Sequence, residues 1–88
     1  MLIVFELHVT PEFDPDQFLG AEARRETEAK VLTRSEAERV GLQGLPEPHA
    51  GSGDVRYVLV NGRHRRWIER AIDADSHITG FDVYDVGG

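Results

Sequence analysis

The stretch Met1-Leu2-Ile3-Val4-Phe5-Glu6-Leu7-His8-Val9 decides the fold. It is dominated by strand formers, and alternate residues of a strand point to opposite faces. Ile3, Phe5, Leu7 and Val9 therefore share one face. Leu2, Val4, Glu6 and His8 share the other. Both faces carry apolar side chains, and the second also carries a carboxylate and an imidazole.

Working outward, a helix start follows. Asp14 is suited to the N-cap, Pro15 to N1 and Gln17 to the N3 position of a capping box. Phe13 and Phe18 occupy the positions of a hydrophobic staple. The pattern predicts one helix over 15–40, with a thin apolar stripe of Phe18, Ala21, Ala29, Leu32 and Val40. Glu26 and Lys30 make a favourable i,i+4 pair. Ser35 and Glu38 form a second possible capping box, so the helix can break near Thr33. Residues 41–53 contain two Pro and four Gly, which forbid a helix. A second strand, if there is one, is weak or hidden in that stretch. Residues 54–61 read as a strand. Asn61-Gly62 has the look of a hairpin turn, but Trp67, Ile68, Ala71 and Ile72 follow at helical spacing. A helix capped by Asn61 is the preferred reading. Residues 77–86 alternate as the last strand, with Thr79, Phe81 and Val83 on one face.

The predicted fold class is α+β, a ferredoxin-like sandwich of order βαββαβ with its second strand weak or missing. One antiparallel sheet carries two helices on one face. The chain of 88 residues makes a single domain over 1–88. It has no Cys for a disulfide or a thiolate metal site, and a core this small supplies only roughly 3–5 kcal/mol. Ile3, Phe5, Leu7, Val9, Val58, Val60, Phe81 and Val83 suit the helix-covered face. The opposite face holds Leu2, Val4, Val55, Tyr57, Leu59, Ile78, Tyr84 and Val86. A water-facing antiparallel sheet alternates to polar, and an apolar patch of this size marks an interface. The expectation is a homodimer, or higher homo-oligomer, packed sheet against sheet.

Sixteen acidic against ten basic residues give a net charge of −6. That disfavours general binding to nucleic acid or to an anionic membrane, and neither is expected as a partner. No apolar run approaches the ~20 residues needed to span a bilayer. Residues 1–10 lack a basic leader, so a cytoplasmic protein is expected.

The opening strand, the charged Glu22-Ala23-Arg24-Arg25-Glu26-Thr27-Glu28-Ala29-Lys30 segment, and the closing Trp67-Ile68-Glu69-Arg70-Ala71-Ile72 and Gly80-Phe81-Asp82-Val83-Tyr84-Asp85-Val86 segments together resemble the dimeric α+β barrel superfamily. Within it the chain looks like the muconolactone isomerase-like group. That group carries an aromatic- and Arg-bearing segment after its long helix, where this chain has Leu45-Pro46-Glu47-Pro48-His49-Ala50-Gly51. No catalytic residue is therefore carried over. The resemblance implies a fold and a pairing mode, and the superfamily's chemistries are too varied for fold to choose among them.

Three groups of residues can carry chemistry. Glu6, His8 and Tyr57 are the candidate catalytic residues. Unbulged pairing sets Glu6 beside Tyr57 on one neighbour and Gly80 on the other, with His8 at the same end. A carboxylate, an imidazole and a phenol in an apolar cavity suit proton transfer; hydrogen-bonded interface residues are the plainer reading of the same three. Asp82 and Tyr84 are candidate ligand contacts on that face. Arg63 and Arg66, in Arg63-His64-Arg65-Arg66, oppose the helix macrodipole, which marks either an anion site or a solvated face paired with acids. The four histidines, His8, His49, His64 and His77, lack the i,i+4 partner of a metal motif. No metal and no cofactor are expected, although a His–carboxylate site assembled by folding stays open. Two functions remain in view: a protein that binds or isomerises a small organic molecule by the sheet, and a non-catalytic assembly module that uses the sheet face only to associate.

Overall fold

The computed structural model describes residues 1–42 and 54–86. The elements run β1 (Leu2–Val9), α1 (Pro15–Phe18), α2 (Ala21–Thr27), β2 (Lys30–Leu32), α3 (Arg34–Arg39), β3 (Asp54–Asn61), a 3-10 turn (Gly62–His64), α4 (Arg65–Asp73) and β4 (Ile78–Asp85). The protein is α+β. Among the described residues four strands form one antiparallel sheet in the order β2-β3-β1-β4. The opening strand is thus internal, flanked by the 54–61 strand and the last strand, both antiparallel to it.

The single helix expected over 15–40 is instead three helices and a strand. Asp14 caps α1 as expected, its carboxylate accepting from the backbone N–H of Asp16. The rings of Phe13 and Phe18 stand 5.7 Å apart, closing the staple. The return bond expected from Gln17 is not among the described hydrogen bonds. The helix then stops at Leu19, which is extended. At the end of α2 the Thr27 hydroxyl donates to the Ala23 carbonyl and accepts from the Ala29 N–H. Glu28 turns through a left-handed conformation, φ 55°. Val31 and Leu32 then point to opposite faces of the sheet, into two separate apolar clusters. A helix would bury one stripe; a strand buries both neighbours, so burial overrides the helical spacing here.

Among the described residues the second strand is Lys30–Leu32, in a stretch that the helical spacing assigned to the long helix. Residues 43–53 lie outside the described residues. The break near Thr33 does occur, but its capping box is Thr33 with Glu36 rather than Ser35 with Glu38. The choice of a helix over a hairpin after Asn61 holds. The Asn61 side chain accepts from the Arg63 N–H and opens the turn that leads into α4.

One cluster joins Ile3, Phe5, Leu7, Val9, Val58 and Val60 to Phe18 and Leu19 and to Ile68 and Ile72 of α4, with Phe81 and Val83 packed alongside. These are the sheet residues expected on the helix-covered face. The other cluster is Val4, Val55 and Tyr57 with Leu32 and Ala37, bordered by Leu42, Leu59 and Val86. Helices on one face only is thus corrected. Breaking the long helix at β2 sends α3 to the second face, where Ala37 packs on the sheet. Val4 and Tyr57 are fully buried within one chain. Ile78 also changes sides. The β1–β4 register shifts between His8 and Val9, with Thr79 as the extra residue, so Ile78 joins the first cluster. Among the described residues no helix is long and apolar enough to cross a membrane.

Candidate functional site

The second sheet face reads as three rows across β3, β1 and β4: Leu59, Val4, Tyr84; then Tyr57, Glu6, Asp82; then Val55, His8, Gly80. The register expected between Glu6 and Tyr57 is correct. The register with β4 differs by two residues, which preserves the faces. Asp82, not Gly80, stands opposite Glu6, and Gly80 stands opposite His8. A Cβ at Gly80 would lie 4.0 Å from His8 Cδ2, so the glycine leaves the space beside the imidazole unfilled.

Glu6 is the unusual residue, because a carboxylate on a central strand is costly to bury without partners. Its side chain is only 6% exposed. The Tyr57 hydroxyl donates to Glu6 Oε2 at 3.1 Å, and Arg34 Nη1 donates to the Tyr57 oxygen at 2.8 Å. The Arg34 guanidinium also lies 5.6 Å from the Tyr57 ring centroid and donates from Nε to Glu38 at 3.0 Å. A cation thus supports the buried carboxylate through a phenol. Burial is the main force raising the Tyr57 phenol above its ordinary pKa. Its hydrogen bond from Arg34 opposes that rise, and the charge of Glu6 adds to it. Tyr84 is raised as well, first by burial and then by the charges of Glu6 and Asp82.

The other Glu6 oxygen, Oε1, faces His8 Nε2 at 3.5 Å, and the same nitrogen lies 3.6 Å from Asp82 Oδ2. His8 is half-buried at 18% exposure and Asp82 is open at 60%. The three donor atoms lie within 4.8 Å of one another, a set able to hold a metal ion. The cluster therefore grades from a buried carboxylate, through an imidazole, to an exposed carboxylate at the sheet edge.

Folding brings Glu6, His8, Tyr57 and Asp82 together, with Tyr84 in the adjoining row. It does not bring Arg63 or Arg66 to them. These two line an open groove of about 600 Å3 with His64, Trp67 and Arg70 on α4, the helix that packs on the opposite sheet face. Of the other histidines, His64 lines that groove, His77 lies 3.4 Å from the Thr10 hydroxyl, and His49 is outside the described residues. The residue missed by sequence reasoning is Arg34. It sits within a run of charges with no spacing to distinguish it, and only the fold places it over Tyr57. In comparisons with known proteins the chain matches no family model, no curated protein and no solved structure.

Proposed function

We propose that the protein binds a small organic molecule on the Glu6 face of the sheet and moves a proton on it, as an isomerase does. The observation that carries this reading is the buried Glu6 carboxylate, clamped on one oxygen by Tyr57 and presenting the other to His8. A fixed carboxylate and a nearby imidazole can divide the work. One removes a proton from carbon beside a carbonyl, and the other returns a proton at a neighbouring atom. Tyr57 and Arg34 are positioning residues in this scheme. Asp82 and Tyr84 border the cluster and contact the bound molecule.

The strand order and the crossover through α4 support a ferredoxin-like sandwich of the dimeric α+β barrel type. Leu2 is 44% exposed, and Leu59, Tyr84 and Val86 are half-buried on the same face. This strip is what a second copy would cover, closing the site from outside. The test is an unbiased thermal-shift screen of small organic acids and carbonyl compounds. Compounds that stabilise the wild type should lose their effect in the Glu6→Gln, His8→Ala double variant. Equal stabilisation of both proteins would overturn the assignment.

A further inference from the structure

We propose that Glu6, His8 and Asp82 form a binding site for one divalent cation of the zinc type, with its fourth position open to water or to an oxygen of the small molecule. The inference rests on the reading of this cluster as the functional site and narrows the ligand to one with an oxygen donor; with the cation in place the Glu6 and His8 donor atoms are occupied, so these residues act on the small molecule through the ion in place of direct proton transfer.

His8 Nε2 stands between the two carboxylates, 3.5 Å from Glu6 Oε1 and 3.6 Å from Asp82 Oδ2. Glu6 Oε1, on a side chain only 6% exposed, is the carboxylate oxygen turned toward His8. All three donor atoms, the Asp82–Glu6 pair included, lie within 4.8 Å of one another, close enough for one ion to reach each of them. Zinc holds His nitrogen and carboxylate oxygen at about 2.0–2.2 Å, which sets tetrahedral donors about 3.4 Å apart.

The surroundings suit a metal site. Buried Glu6 has its second oxygen fixed by Tyr57, and Tyr57 is fixed by Arg34, an outer shell of the kind that orients metal ligands. Gly80 leaves the side of the imidazole open. Exposed Asp82 gives the cation a path from solvent. One nitrogen and two oxygens favour a borderline ion over calcium or magnesium, which take oxygen ligands. Three protein ligands with one open position is the pattern of a catalytic rather than a structural zinc site.

The experiment is calorimetric titration of Zn2+ into tag-free protein that has been dialysed against chelator. The wild type should bind one equivalent. His8→Ala and Asp82→Ala should each weaken binding at least 10-fold. Asp82 is an exposed edge residue, so that variant keeps the fold and guards against a false loss through unfolding. Tyr57→Phe, which touches no cation, should weaken binding 10–100-fold through Glu6. No zinc binding by the wild type would overturn the proposal. So would a full equivalent bound with unchanged affinity by both Ala variants, since the ion would then sit on another histidine. The thermal-shift screen separates the two readings. Screen hits that depend on Glu6 and His8, in a protein that binds no zinc, overturn the cation alone. Zinc binding that depends on these residues, with hits that ignore them, overturns the proton-transfer reading alone.

Discussion

Tyr57 is the residue on which the site turns. Its hydroxyl receives from Arg34 and donates to Glu6, and its ring is fully buried. Tyr57→Phe leaves a buried carboxylate oxygen and a guanidinium without that partner. The loss should be about 1–3 kcal/mol of folding stability, measured by urea unfolding. The phenol also predicts a pH dependence. Its folded pKa is raised, so folded and unfolded chains are equally protonated below the ordinary value near 10. Above that value the unfolded chain releases its proton first, and stability falls as pH rises through the folded pKa. Unfolding midpoints should therefore decline above about pH 10. Tyr57→Phe should make the decline shallower without abolishing it, because Tyr84 is raised too. At this scale the sequence was informative about Glu6, His8 and Tyr57, since strand alternation alone puts all three on one face. It was silent on Arg34, which joins them from a separate helix.

At the scale of elements, the cap of α3 decides whether the second face is covered. The Thr33 hydroxyl accepts from the Glu36 N–H, and Glu36 returns to the Thr33 N–H. The Thr33 N–H first, and the Thr33 side chain second, hold the exposed Glu36 carboxyl below its usual pKa. Thr33→Ala should cost about 1 kcal/mol. Ser35→Ala, at the serine of the other possible box, should stay within about 0.5 kcal/mol. Thermal unfolding of the two variants checks this, and equal losses would contradict it. Element boundaries were legible where side chains act locally, as at Asp14 with Phe13 and Phe18, or at Asn61. They were illegible where a distant strand decides. Ala29, Leu32 and Val40 keep helical spacing, but Lys30–Leu32 pairs with β3, and no local pattern announces that edge. The two-residue difference in the β4 register has a similar origin: the extra residue at Thr79 is set by pairing, not by propensity.

At the scale of the whole molecule, the shortage of burial expected of so small a chain is met partly from within. α3 covers Val4, Val55 and Tyr57, and the apolar strip left on that face is narrower than alternation alone implies. Pairing of two copies through Leu2, Leu59, Tyr84 and Val86 predicts a dimer by light scattering at micromolar concentration. Leu59→Glu should give a folded monomer, because Leu59 stands opposite Lys30 and the new carboxylate gains a cross-strand partner. A monomeric wild type would contradict the pairing and leave the Glu6 cluster untouched.

On this account function resides on the Glu6 face and not in the arginine groove of α4. Backbone amide chemical shifts followed by NMR, during titration with a compound from the thermal-shift screen, test it most directly. The predicted result is a set of perturbations centred on residues 6, 8, 57, 80 and 82. Perturbations centred on residues 63–71, with Glu6 and His8 unmoved, would contradict it.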